Sequence, residues 1–181
     1  MIPDIPSRIA CIGSRRLSKA ELDRCHAIGA WLAHNGHTVI SGAAEGADLA
    51  FMRGASAVGG KVIAFLPWKK YNELELDPSW QRIVYDTNRR QHKRWRDVAK
   101  LIHPAWDACS GGAKAMHARN TGILLGEEPK ETVALVIAMP PSDYKDLMSP
   151  GGTSQGIRLA TARNIPVINL REVIDFPPKG D

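Results

Sequence analysis

Two glycine-rich segments contain the residues of this chain best suited to bind a phosphate. The first is Ser41-Gly42-Ala43-Ala44-Glu45-Gly46-Ala47-Asp48, and the second is Gly151-Gly152-Thr153-Ser154-Gln155; each follows an apolar run. Small residues between a strand and a helix leave backbone N–H groups free at the positive end of the helix dipole, where they can bind an anion. The hydroxyls of Thr153 and Ser154 add further donors. Together the segments predict a phosphorylated ligand held from two sides of one pocket.

Neither segment is a standard nucleotide motif. The first lacks both the lysine and hydroxyl of a Walker loop and the Gly-x-Gly-x-x-Gly pattern, so an ordinary strand–helix connection is an equal alternative. There Asp48 could hold a ribose hydroxyl or simply favour the start of a helix. For the second segment the alternative is a glycine turn with a Thr or Ser N-cap, and we favour phosphate binding.

Two further groups of residues could contact the same ligand. Gly13, Ser14 and Arg15 follow the first apolar run of the chain. Arg119 and Asn120 lie in a predicted helix, where the arginine could bind a phosphate through two N–H groups and the asparagine could contact a base or ribose. The alternative for this pair is a solvated helix face.

A basic cluster in the middle of the chain could instead bind nucleic acid. It comprises Arg89, Arg90, Lys93, Arg94 and Arg96, with Trp95 among them. Cationic side chains beside an aromatic ring are typical of single-stranded DNA binding. We favour the alternative, a solvated helix face with Trp95 turned inward. The six histidines show no metal-ligand spacing, so we expect neither a metal site nor a cofactor.

The elements that must position these residues alternate between strand and helix. Apolar runs predict strands over residues 8–13, 37–41, 62–66, 132–139 and 166–170. Helical patterns follow the capping box at Ser18 and cover residues 45–58, 79–101, 113–125 and 153–163. This alternation indicates an α/β fold with a mostly parallel sheet, which binds ligands at the carboxyl ends of its strands.

Composition is that of an ordinary globular protein. The chain has 181 residues, 44% of them hydrophobic, a net charge of +5 and three widely spaced cysteines. The cysteine pattern favours reduced thiols, and no apolar run is long enough to span a membrane. We see no secretory signal and expect a cytoplasmic protein. The mild positive charge is compatible with an anionic partner without choosing between nucleotide and nucleic acid.

The motifs, taken in order, resemble the SLOG superfamily, which joins DNA-processing protein A with the Lonely Guy-type and lysine-decarboxylase-like proteins. Ile12-Gly13-Ser14-Arg15 resembles its first strand and turn, and Ser41–Ala50 is similar to the Ser-Gly-x-Ala-x-Gly-Ile-Asp signature of DNA-processing protein A. Arg119-Asn120 lies where the family has Arg-Asn, and Gly151-Gly152-Thr153 is similar to the Lonely Guy-type glycine loop. The resemblance implies a Rossmann-like three-layer sandwich forming one domain over residues 1–181, with a core of about 8–170, an irregular tail over 171–181, and a homo-oligomer.

The resemblance implies three functions, and we place first the binding of a nucleoside phosphate or an ADP-ribose-like ligand. The second is an N-glycosidase acting on nucleoside 5′-monophosphates, with Arg119 and Glu45 as candidate catalytic residues. The glutamate expected in Lonely Guy-type enzymes is replaced by Gly156. The third is single-stranded DNA binding, as in DNA-processing protein A.

Overall fold

The computed structural model describes residues 2–3 and 5–177. A six-stranded sheet forms the centre, with all its neighbouring strands parallel. Its strands are β1 (Arg8–Gly13), β2 (Thr38–Ser41), β3 (Val62–Leu66), β4 (Gln81–Val84), β5 (Leu135–Met139) and β6 (Val167–Asn169). The helices are α1 (Lys19–His34), α2 (Ala47–Ala57), α3 (Arg90–Ile102), α4 (Gly111–Leu125) and α5 (Gly152–Ala162). The predicted α/β class with a parallel sheet is confirmed.

The strand order shows at which edge of the sheet a fold of this type binds its ligands. The order is β4-β3-β2-β1-β5-β6, so the chain moves outward from β1 to β4 and then returns to put β5 on the other side of β1. In open parallel sheets the crevice outside the carboxyl ends of such a pair is where ligands bind. The end of β1 is Gly13, paired with Met139 at the end of β5.

Two apolar layers cover the sheet, one on each face. Ile9 and Cys11 of β1 pack with residues of α1 and α2, whereas Ala10 and Ile12 pack with residues of α3, α4 and α5. Alternate residues of a strand point to opposite faces, so a strand covered on both sides is apolar throughout. All five residues of β3 and of β5 are buried for this reason. The predicted three-layer sandwich is therefore observed.

Most predicted boundaries hold to within a few residues. Ser18 and Glu21 form the predicted capping box, in which the Ser18 hydroxyl accepts from the Glu21 N–H and the Glu21 carboxylate accepts from the Ser18 N–H. Residues 171–177 carry turns and bends, and the rest of the predicted tail, residues 178–181, lies outside the described residues. No helix among the described residues has the length and apolar character needed to cross a membrane.

One predicted element is wrong. The helix predicted over residues 79–101 is instead the edge strand β4 followed by α3, which begins only at Arg90. Gln81 and Arg82 are exposed because an edge strand has a neighbour on one side, so β4 lacks the apolar run that reveals the inner strands. Ile83 is the one buried residue of β4; it pairs with Phe65 of β3 and belongs to the apolar layer on that face of the sheet.

Candidate functional site

A cavity of about 550 Å³ opens at the carboxyl ends of β1 and β5. Its size is within the range of small-molecule sites, which is about 300–1,000 Å³. Both glycine-rich segments reach it, through Ala44 and Asp48 from the first and Gly151, Gly152 and Thr153 from the second. The other lining residues come from the β1 turn, α4, Pro141, Pro150 and α5: Ile12, Gly13, Ser14, Arg15, Arg16, Ala113, Met116, His117, Arg119, Asn120, Ile123, Leu124 and Gly156.

Asp48, in the first turn of α2, links the last residue of β1 to the turn after β2 through hydrogen bonds. Its carboxylate accepts hydrogen bonds from the backbone N–H groups of Gly13, Gly42 and Ala44 at 3.2, 3.2 and 3.4 Å. Burial raises the pKa of Asp48, and the opposing effects of Arg119 and of the three N–H groups favour the ionised form. These amides, which the sequence suggested for a phosphate, are thus bonded to a carboxylate of the protein itself.

Arg119 projects from α4 into the same buried region. Its side chain is 2% exposed, and Nη1 lies 4.0 Å from Oδ2 of Asp48 and 3.4 Å from the Phe65 carbonyl oxygen. The guanidinium carbon is 5.5 Å from the centre of the Tyr71 ring. Burial lowers the pKa of Arg119, while Asp48 raises it. Nε is buried with no hydrogen-bond partner among the described residues, which leaves a donor beside the cavity unsatisfied.

Gly42 provides the space that the guanidinium occupies. A Cβ atom at this position would overlap Nη1 of Arg119 and would lie 2.9 Å from Oδ2 of Asp48. The glycine of the first segment therefore makes room for an arginine of the protein. Gly46 has φ +84°, and a Cβ there would approach Cα of Arg15 to 2.7 Å, so this glycine allows close contact with the β1 turn.

The start of α5 supplies the second wall of the cavity. Gly151 is the N-cap with φ 102°, and the first intrahelical bond runs from the Gln155 N–H to the Gly151 carbonyl oxygen. The amides before Gln155 in this first turn have no intrahelical acceptor, which makes the helix end favourable for an anion. A Cβ at Gly152 would lie 3.0 Å from Nδ2 of Asn120, so the predicted asparagine is adjacent to the helix start.

Several predicted residues lie outside the cavity lining. The buried Ser41 hydroxyl donates to the Cys11 carbonyl oxygen, and the Ser154 hydroxyl donates to the Pro150 carbonyl oxygen at 3.1 Å. Gln155 accepts a hydrogen bond at Oε1 from Nδ1 of His117. Glu45 is exposed and borders a groove formed with Leu22, Asp23, His26 and other residues of α1 and α2. Three further residues of the first segment also lie outside the lining: Gly42, Ala43 and Gly46.

Apolar lining residues are the part of the site that the sequence did not indicate. Ile12, Met116, Ile123 and Pro141 form a nonpolar surface beside the backbone amides and charged side chains that also line the cavity. Such a surface suits the face of a planar base. Alternate positions of β1 and one face of α4 supply most of it, and a helical or strand periodicity cannot distinguish a core position from a pocket wall.

The basic cluster lies on the outer face of α3. Arg90, Lys93, Arg94 and Arg96 are exposed, and Arg89 forms an ion pair of 2.6 Å with Glu127. Trp95 is buried, and its indole N–H donates to the Gly126 carbonyl oxygen at 2.8 Å. The inward orientation that we favoured for this tryptophan is therefore observed, and the ring is not available to stack on a base.

Known proteins are similar to this chain in sequence over part of its length and in fold over most of its length. The family model of DNA recombination-mediator protein A matches residues 4–73, which include β1 and the turn Ser41–Asp48. No curated protein sequence is significantly similar to the chain.

Three solved structures share the fold. The X-ray structure of TM1055 has a TM-score of 0.52 at 19% identity, over 92% of this chain and 75% of that chain. The molybdenum cofactor carrier protein of Chlamydomonas reinhardtii has a TM-score of 0.50 at 17% identity, over 90% and 74%. DNA processing protein A from Helicobacter pylori, described by its single-stranded DNA binding mode, has a TM-score of 0.50 at 18% identity, over 91% and 65%. The sequence match supports the resemblance to DNA-processing protein A over residues 4–73, and the three structures show that the fold is shared over most of the chain.

Proposed function

We propose that the protein binds a nucleoside phosphate or an ADP-ribose-like ligand in the cavity at the ends of β1 and β5. The observation that carries this proposal is the convergence of four separate segments on one space. The β1 turn, Asp48, the pair Arg119 and Asn120, and the glycine start of α5 all line it. A site that combines helix-start amides, arginines and an apolar wall offers partners for a phosphate and for a base.

The phosphate lies at the start of α5 in this proposal. That helix end has free amides and an open approach, since a Cβ at Gly151 would meet nothing within 4 Å. Arg15 and Arg16 are exposed at the rim of the cavity and add positive potential there. The amides around Asp48 are less suitable because its carboxylate already accepts from them and would repel a phosphate.

Binding is better supported than hydrolysis of the ligand. Among the described residues that line the cavity, Asp48 is the acidic one, and its oxygens are engaged with three N–H groups and Arg119. Glu45, the other candidate carboxylate, borders a different groove. The position expected to carry a catalytic glutamate is Gly156, which has no side chain, and a Cβ there would lie 2.5 Å from Cδ1 of Ile12.

Calorimetric titration with AMP and with ADP-ribose tests the proposal. Gly152→Asp places a carboxylate at the first residue of α5, where it would repel the phosphate, and we expect affinity to fall at least about tenfold. Gly111→Asp is the matched control because Gly111 is the first residue of α4, is exposed, and has open space around it. Equal heats for the wild type, Gly152→Asp and Gly111→Asp would contradict the proposal.

The same samples test the alternatives. Free base released from AMP would favour the N-glycosidase function, and its absence across a panel of nucleotides would count against it. Because one structural neighbour is a molybdenum cofactor carrier protein, mass spectrometry of the purified protein should also search for molybdenum cofactor. A nucleotide recovered in this way would identify the base directly.

A further inference from the structure

The fold brings together three side chains that no spacing in the sequence connects. His103 follows α3, Cys109 precedes α4, and His117 lies within α4. One ligand atom from each lies within 4.8 Å of the others. Sγ of Cys109 is 3.9 Å from Nδ1 and from Nε2 of His103. The ring centres of His103 and His117 are 4.3 Å apart.

The hydrogen bonds of the two imidazole rings suit them to bind a metal ion. Nδ1 of His117 donates to Oε1 of Gln155, which leaves the lone pair of Nε2 free. A hydrogen bond of this kind, from the second ring nitrogen to a fixed oxygen, orients metal-binding histidines. Burial is the main cause that lowers the pKa of His117 and of His103, and this favours the neutral form in which an imidazole binds a metal ion.

His103 offers its Nδ1 lone pair. This atom accepts a hydrogen bond of 3.1 Å from the backbone N–H of Ala105, so the ring proton is on Nε2. A metal ion at Nδ1 would replace that N–H, and Ala105 is exposed, so its amide can bond to water instead. The exchange therefore leaves no buried donor unsatisfied.

We propose that His103, Cys109 and His117 bind a zinc-type divalent ion. Two imidazoles and one thiolate are a donor set that zinc prefers, and three protein ligands leave a fourth position for water or a ligand atom. Zinc–ligand distances of about 2.0–2.3 Å require the three atoms to approach by roughly 1 Å. All three side chains are only partly buried, so rotation about their own torsions can provide this movement. Binding breaks the S–H bond of Cys109 and releases its proton to solvent.

The cluster lies beside the cavity because one of its members, His117, is also a lining residue of the cavity. Asn120 lies one turn further along α4 on the same wall. An ion on His117 would thus be next to the space that we assign to the nucleotide. Its fourth position would be open to an anionic group of the ligand. The metal site itself does not depend on the identity of that ligand.

Titration of the chelator-treated protein with Co²⁺ tests the site without any nucleotide. We expect the strong visible absorption of tetrahedral cobalt and a near-ultraviolet band from thiolate-to-cobalt charge transfer, both removed by added Zn²⁺. Cys109→Ser should abolish the charge-transfer band, and His117→Ala should weaken cobalt binding at least about tenfold. His34→Ala, at an exposed histidine at the end of α1, is the control and should leave both bands unchanged.

The outcome separates this inference from the proposed function. Circular dichroism of each variant first establishes that it is folded. A charge-transfer band that survives in Cys109→Ser, or wild-type protein that gives only the weak bands of octahedral cobalt, would overturn the site. Gly152→Asp should retain the full cobalt spectrum, so loss of nucleotide binding and loss of metal binding are measured independently.

Discussion

Nη1 of Arg119 lies 4.0 Å from Oδ2 of Asp48, and the two side chains are 2% and 7% exposed. The pair joins α4 to the start of α2 across the carboxyl end of the sheet. Since Asp48 also accepts from amides at the end of β1 and after β2, one buried carboxylate sets the relative position of three segments around the cavity. Removing one charge of such a pair leaves the other buried without compensation.

We therefore expect Asp48→Asn to lower the free energy of unfolding by about 3–5 kcal/mol. Asn retains the shape but offers one oxygen for three N–H groups and no charge for Arg119. Urea denaturation measures the change, and Asp23→Asn, at an exposed aspartate of α1, is the control with little effect. The double variant Asp48→Asn/Arg119→Met should be less unstable than the sum of the single variants, and strict additivity would contradict the coupling.

Gly42→Ala tests the space reserved for Arg119. The added Cβ would overlap Nη1 of a side chain that is buried and held, so we expect a loss of about 1–3 kcal/mol in unfolding free energy and weaker AMP binding. Gly112→Ala is the control, because a Cβ there meets nothing within 4 Å and alanine favours the helix. Unchanged stability in Gly42→Ala would mean that Arg119 moves freely.

The inner strands were predictable, whereas the edge strand was not. β3 and β5 are buried on both faces, so their sequences are continuous apolar runs that can be recognised from the sequence alone. β4 has one neighbour and two exposed polar residues, and its pairing with β3 is decided by tertiary contacts. The close contact of α1 with α2 was likewise not evident. It depends on Gly29 and Gly54, where a Cβ would collide with backbone of the opposite helix.

The candidate site was predictable in place but not in arrangement. Strand ends and glycine segments indicated the edge of the sheet where the cavity lies, because carboxyl ends of parallel strands meet there. That Asp48 would accept from amides of two turns could not be read from spacing, since the three donors converge only after β1 and β2 pair. The His103, Cys109 and His117 cluster was hidden for a different reason: its members lie after α3, before α4 and within α4, and their separations match no standard metal-ligand spacing.

Stability should fall on mild acidification, in part because of His92. This side chain is fully buried between the rings of Tyr85 and Trp95, and its Nδ1 accepts from the Asp86 N–H at 2.8 Å. Burial lowers the pKa of His92 below its usual value of 6.5. The folded state thus binds fewer protons than the unfolded state between those two pKa values. The stabilisation is complete above about pH 6.5 and is lost as the pH falls through the folded-state pKa.

His92→Phe should flatten that dependence. Denaturation at several pH values gives the slope, which we expect to decrease by up to about one proton in the variant, although the variant is less stable at neutral pH. His37, His103 and His117, whose pKa values burial also lowers, maintain the residual slope. A slope identical to that of the wild type would show that His92 does not titrate in this range.

Gly156 and Ile12 should be energetically coupled. A Cβ at Gly156 would lie 2.5 Å from Cδ1 of Ile12, so Gly156→Ala should lower the free energy of unfolding by about 1–3 kcal/mol despite the better helix propensity of alanine. Ile12→Val removes Cδ1 and alone costs about 0.5–1.5 kcal/mol. The double variant should be more stable than the sum of the two changes predicts, because the obstructing atom is gone. Additive losses would mean that the clash is relieved elsewhere.

The exposed basic face of α3 should bind single-stranded DNA weakly and through phosphates alone. Reversal of Arg90, Lys93 and Arg94 to glutamate should reduce affinity for an oligonucleotide and lower the slope of log affinity against log salt by about one unit for each phosphate that is no longer neutralised. Reversal of Lys61, Lys69 and Lys70, which are exposed near β3, is the control of equal charge.

Trp95→Phe should leave DNA binding unchanged because the indole is buried and donates to the Gly126 carbonyl oxygen. Equal salt slopes for the two triple variants would assign the residual DNA affinity to overall charge and remove α3 as an interface.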